Sequence, residues 1–157
     1  MLTIRQVALH EMEALAESHA AFRYLTGLGV AEGGVLPSEF VAEFLPRARA
    51  ADPWLGVWAI DEGVVVGSGG FKSAPKEGIV EIGYGVAPSV EGRGVATAIA
   101  KAMVSFAMEN GARAVIAHTL PDGFASQRVL AKAGFTLVGP VVDTEDGDVL
   151  RFTYSQL

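Results

Sequence analysis

The spacing of apolar residues divides the chain into alternating strand-like and helix-like stretches. "LTIRQVA" opens it with strand character. "HEMEALAESHAAFRYL" then sets Met12, Leu15, His19, Phe22 and Leu25 at helical intervals, which predicts one amphipathic helix. "TGLGVAEGGVLP" has no period and reads as a loop, and "PSEFVAEFLPRARA" as a short helix interrupted near Pro46. Residues 27–53 are therefore the least regular span, of the kind that shapes a substrate pocket.

From residue 54 the pattern becomes cleaner. "WLGVWAI", the turn "DEG" and "VVVGSGGF" predict a β-hairpin, and "SAPKEG" a further turn. "IVEIGYGVAP" reads as a third strand, interrupted by Gly83 and Gly85 and closed by Pro88; glycines inside a strand mark a bulge or the close approach of another backbone or a ligand. Val95, Ile99, Ala102, Met103, Phe106 and Ala107 define the buried face of a helix that stops at "ENG". "ARAVIAHTL" is a buried-type strand, "DGFASQRVLAKAG" an amphipathic helix ending at Gly134, and the remainder a hairpin around "TEDGD". The resulting order (strand, helices, three strands, helix, strand, helix, two strands) predicts one α/β domain over residues 1–157, a mixed sheet covered by helices.

Composition narrows the function classes. With 157 residues and 50% hydrophobic content the chain can bury a core of ordinary size. Its formal charge of -6 and scattered basic residues argue against nucleic-acid binding, which needs cations along the phosphates. The absence of cysteine removes thiol nucleophiles, disulfides and cysteine zinc sites. His10 and His19 accompany Glu11 and Glu13 without metal-ligand spacing, so no metal is expected. No stretch has the apolar length of a membrane span, and the first residues lack a secretion-signal core; a cytoplasmic protein is expected.

One motif carries chemistry. "VEGRGVATAIAKAM" sets Gly92, Arg93 and Gly94 immediately before the helix at Val95, where unpaired N–H groups and the helix dipole favour an anion. The nucleotide P-loop pattern is absent, and the dinucleotide fingerprint fails because Thr97 stands at its third glycine. On these residues alone an ordinary helix start fits as well as a phosphate cradle.

"EIGYGVAPSVEGRGVATAIAKAMVSFAMENGARAVIAHT" followed by "SQRVLAKAGFTLVG" resembles the GNAT superfamily of acyl-CoA-dependent N-acyltransferases. "EGRGVA" is similar to the family's glycine motif, with Gly94 and Ala96 in the matching places. Ser126, Leu130, Lys132, Gly134 and Phe135 match a later motif of the branch that includes ribosomal-protein N-terminal acetyltransferases. The resemblance implies a mostly antiparallel sheet with a splayed, bulged strand. It also implies that acetyl-CoA is the co-substrate, with its pyrophosphate on the amides of Glu91, Gly92, Arg93, Gly94, Val95 and Ala96, near the Thr97 hydroxyl, and its pantetheine arm along the strand Ile82–Val86, Gly85 and Val86 included. An asparagine usual in the second motif is replaced by Gly123, and the tyrosine that protonates the thiolate in many members is replaced by Leu130.

The expected reaction is direct transfer of acetyl to a primary amine of a small molecule or peptide. Glu81 is the leading base, read otherwise as a strand residue in an ion pair; His118 is a second base, read otherwise as a hydrogen-bonded structural residue. Ser126 is a proton donor or a helix cap, Tyr84 an acceptor-pocket or sheet-packing aromatic, and Arg128 with Lys132 either a second phosphate site or a solvated basic face. Trp54, Trp58 and Phe71 are core or pocket wall. Family habit implies a homodimer, and the acidic charge favours cationic acceptors by steering alone. The alternative from another class is a non-catalytic acyl-CoA sensor, kept open by Gly123, Leu130 and Glu91, which stands where the glycine motif usually opens with glutamine or arginine.

Overall fold

In the computed structural model, which describes residues 1–155, the chain forms one eight-stranded sheet with helices on both faces. The elements are β1 (Leu2–Gln6), α1 (Leu9–Glu17), α2 (His19–Thr26), β2 (Gly29–Val30), α3 (Ser38–Ala51), β3 (Val57–Asp61) and β4 (Val64–Phe71). β5 (Ile79–Val86), α4 (Val95–Glu109), β6 (Ala114–Thr119), α5 (Phe124–Lys132), β7 (Thr136–Asp143) and β8 (Gly147–Ser155) follow. The strand order is β1-β3-β4-β5-β6-β8-β7, with β2 beside β4, and the pairs are antiparallel except β2 with β4 and β5 with β6.

Strand alternation sorts side chains between two cores. Val57, Ala59 and Val66 face α4 and α5, whereas Trp58 and Val65 face α1, α2 and α3. Ile99 and Met103 of α4 are wholly buried in the first core, each adding roughly 1.5–3 kcal/mol by burial. Gly69 of β4 makes that packing possible: a Cβ there would run into the Met103 thioether.

Two sequence expectations change. The helix expected across Met12 to Leu25 is two helices, broken at Ser18, whose backbone is extended (φ -172°) and whose hydroxyl accepts the Ala21 N–H at 2.9 Å as a cap. Met12, Leu15 and Phe22 are still buried, but His19 and Leu25 are exposed. α3 runs uninterrupted through Pro46, which sits on its exposed side, where water can serve the carbonyl that proline leaves without a donor.

The feature that creates the site is at β5. Ile79, Val80 and Glu81 pair with β6, opposite Ala114, Val115 and Ile116; from Ile82 to Val86 the strand pairs only with β4. The irregularity expected at Gly83 and Gly85 thus takes the form of a change of partner, with unbroken register to β4. β6 continues through His118 and Thr119 beside β8 alone, so the sheet opens into a cleft between β5 and β6.

Candidate functional site

The cleft has an amide-rich end and a charged flank. After a 3-10 turn at Pro88–Val90, Gly92 and Gly94 both adopt φ +78°, a left-handed conformation that glycine takes without a Cβ penalty. Gly94 caps α4, and its carbonyl accepts the Ala98 N–H at 3.0 Å. Among the described residues, the N–H groups of Gly92, Gly94, Val95, Ala96 and Thr97 have no backbone acceptor outside the helix ladder, which is the geometry of an anion site. A Cβ at Gly83, Gly85, Gly92 or Gly94 would meet nothing within 4 Å, so space lies open both along the splayed strand and over the loop.

The side chains of this loop divide by exposure. Glu91 and Arg93 are exposed, while the Val95 side chain is buried in the core, leaving its backbone to face the loop. Arg128 and Lys132 are exposed on α5 and make no ion pair or side-chain hydrogen bond among the described residues. Gly123 starts α5 in a loop held by Gln127, whose side-chain N–H groups donate to the carbonyls of Leu120 and Pro121. Leu130 is fully buried, so its position offers no proton donor.

Glu81 and His118, named separately from the sequence, come together. His118 Nδ1 is 2.9 Å from Glu81 Oε2, and His118 Nε2 accepts from Arg151 Nε at 2.9 Å. Because arginine only donates, Nε2 is the unprotonated nitrogen and Nδ1 carries the proton toward Glu81. Lys72 Nζ reaches the same Glu81 oxygen at 3.1 Å. Burial depresses the Lys72 ammonium, but the Glu81 hydrogen bond and the charges of Glu81, Asp146 and Asp143 outweigh it and raise its pKa above the ordinary lysine value. Lys72 and Arg151 carry no sequence signal of their own, because their roles depend on cross-strand neighbours.

Tyr84 and Ser126 also meet, across the cleft from β5 to α5: their hydroxyls are 2.8 Å apart. Burial raises the Tyr84 pKa above its ordinary value and the Ser126 hydrogen bond offsets only part of this, so the phenol stays protonated at neutral pH.

A cavity of about 480 Å³ opens against the splayed strand on the face of α1 and α3. Gly83, Tyr84 and Gly85 form its edge at β5, Ser68 and Gly70 its floor, and Trp54, Trp58 and Phe71 belong to its wall. α3, from the span that the sequence marked as irregular, supplies one side, and Glu145 at the β7–β8 turn is also in the lining. No group of acidic or histidine side chains able to hold a metal ion occurs among the described residues, and no helix is long and apolar enough to cross a membrane.

A splayed central strand beside an amide-lined helix start makes a cleft suited to an extended ligand with an anionic end. The GNAT acetyltransferase domain profile matches residues 1–136, and the chain belongs to that family. Among solved structures, a ribosomal-protein-alanine N-acetyltransferase from Brucella melitensis is 21% identical with TM-score 0.70, covering 98% of this chain and 99% of its own. yncA of Salmonella typhimurium, solved with its cofactor acetyl-CoA, is also 21% identical (TM-score 0.68, covering 98% and 93%). The aminoglycoside acetyltransferase AAC(6')-Ib in complex with coenzyme A is 18% identical (TM-score 0.69, covering 99% and 95%). No curated protein sequence gives a significant match.

Proposed function

We propose that the protein transfers an acetyl group from acetyl-CoA to a primary amine, by direct attack within a ternary complex. The observation that carries this reading is the pairing of the unpartnered amides of Gly92, Gly94, Val95, Ala96 and Thr97 with open space along the splayed half of β5. That combination fits a pyrophosphate at one end and an extended arm at the other, and structural neighbours hold acetyl-CoA and coenzyme A.

When bound, acetyl-CoA supplies a thioester whose C–S bond breaks as the amine nitrogen bonds to the acyl carbon. The chain's contributions follow from its geometry. The loop amides and the α4 dipole hold the diphosphate, and Val86 offers its backbone groups on the cleft side, whereas those of Gly85 turn toward β4. Glu81, bonded on one oxygen by Lys72 and His118, takes the proton that the ammonium must lose, directly or through one water. Tyr84, protonated and bonded to Ser126, gives the departing sulfur its proton. Proton transfer of this kind contributes roughly 10²–10⁴-fold each. His118 acts through Glu81 as a positioning residue, since both of its nitrogens are engaged.

Calorimetric titration of acetyl-CoA tests the reading. Wild-type protein binds, and Gly94→Glu weakens binding by about 100-fold or more, because it sets an anion and a strained backbone where the diphosphate sits. Equal binding by the two proteins refutes the assignment.

A further inference from the structure

The cavity beside the splayed strand has a chemical character that the overall charge conceals. The chain is acidic, at -6, yet the charged side chains lining this cavity are Arg47, Lys72 and Glu145. Lys72 is engaged with Glu81 at 3.1 Å. Arg47, on α3, makes no hydrogen bond or ion pair among the described residues; its neighbour Arg49 is the arginine of that helix that pairs with Glu13, at 3.0 Å. An unpaired guanidinium on a cavity wall is a fork of donors suited to a carboxylate or another planar anion.

The remaining wall is apolar and rigid. Trp58 is 4% exposed, with its indole N–H donated to Glu11 at 3.0 Å and its ring edge-on to Phe22 at 5.3 Å. Trp54 packs edge-on to Phe71 at 5.2 Å. A fixed aromatic wall selects an apolar body by shape. A polyamine or a multiply charged amino sugar would instead need carboxylates along its length, and this lining supplies Glu145 alone among cations.

Position in the fold gives the cavity two ends. α3, which carries Arg47, packs with α1 on the β1–β3 side of the sheet; Gly83 and Gly85 border the cleft at β5, where an amine must sit to reach a thioester. Glu145 at the β7–β8 turn is in the lining, Glu81 of β5 is bonded to the lining residue Lys72 at 3.1 Å, and Arg47 stands on the α3 wall.

Resting on the acetyltransferase reading above, we infer that the acceptor is a small zwitterionic amine with an apolar, amino-acid-sized body, its anionic group recognised by Arg47. Net charge therefore misleads about the substrate, and local lining decides it.

Steady-state kinetics with acetyl-CoA and matched acceptors test this. Phenylalanine and phenethylamine differ by the carboxylate, and spermidine represents the polycationic class. The expected result is a kcat/KM at least about tenfold higher for phenylalanine than for phenethylamine, carried by KM, with spermidine poorest. Arg47→Met brings the phenylalanine to phenethylamine ratio toward one, Arg47→Lys keeps part of it, and the acetyl-CoA Kd remains that of wild type in both. Binding supplies a readout independent of turnover: in the presence of coenzyme A, N-acetylphenylalanine binds wild type about tenfold more tightly than N-phenethylacetamide, and Arg47→Met removes the difference. A ratio near one in wild type, a preference for spermidine, or an unchanged ratio in Arg47→Met overturns the inference while leaving acetyl transfer intact. Loss of acetyl-CoA binding in wild type would instead refute the underlying reading.

Discussion

Nδ1 of His118 stands 2.9 Å from Oε2 of Glu81, and Arg151 fixes which way that hydrogen bond runs by donating to Nε2 from the other side. The carboxylate is thereby held by two donors, His118 and Lys72, on a single oxygen. Its second oxygen has no partner among the described residues and is the one free to receive a proton. Glu81→Gln should lower kcat by about 100-fold with little change in the acetyl-CoA Kd. His118→Gln and Arg151→Met should each lower kcat by roughly tenfold while leaving KM, the acetyl-CoA Kd and the thermal midpoint near wild type, a split that a purely structural role would not give. An unchanged kcat in both variants would remove the network from the mechanism.

The proposed proton donor, Tyr84, is bonded to Ser126 at 2.8 Å, and variants of the pair test donation apart from binding. Because burial raises the Tyr84 pKa, the phenol is protonated below that raised value, and activity should fall only as pH rises through it. Tyr84→Phe should reduce kcat by about 10²-fold and abolish the alkaline limb of the profile, while Ser126→Ala should cost less, since the phenol remains. Retention of full kcat by Tyr84→Phe would assign the donor elsewhere.

Glu11 is a stability element distinct from the site. It is 6% exposed and accepts from Arg5 at 2.7 and 3.0 Å, from the Ala8 N–H at 3.0 Å and from the Trp58 indole at 3.0 Å. Burial alone would raise its pKa, but those hydrogen bonds together hold it below the ordinary glutamate value of 4.5. A lowered folded pKa means that the contribution is complete above the ordinary value and is lost as pH falls through the folded one. Glu11→Gln should lower the unfolding free energy by about 2–4 kcal/mol at pH 7, and the gap between variant and wild type should narrow in denaturant titrations carried below pH 4.5. A constant gap across that range would show that charge is not the source.

Much of this architecture is legible in the sequence, for reasons that particular elements make plain. α4 announces itself because Val95, Ile99, Met103 and Phe106 recur on one face, and Gly83 and Gly85 announce the cleft because a fully paired strand has no use for them. The break at Ser18 does not show, since α1 and α2 pack on the same core and Met12, Leu15 and Phe22 keep a helical rhythm across it. Pro46 reads as an interruption although an exposed carbonyl is all it leaves unserved. The contacts that organise the candidate site are hidden for a different reason. Arg151 meets His118 through the β6–β8 register, Tyr84 meets Ser126 across 42 positions, and no local pattern encodes either. The α3 wall with Arg47 is likewise a product of packing rather than of periodicity.

The central claim is tested most directly by thiol release from acetyl-CoA in the presence of a panel of primary amines, with the acetylated product followed in parallel. The chain contains no cysteine, so every thiol detected comes from coenzyme A. Acetyl transfer predicts amine-dependent thiol release in equal amount to the acetylated amine, strongly reduced in Glu81→Gln and in Gly94→Glu. Tight acetyl-CoA binding with no amine-dependent release would contradict it and define a sensor domain.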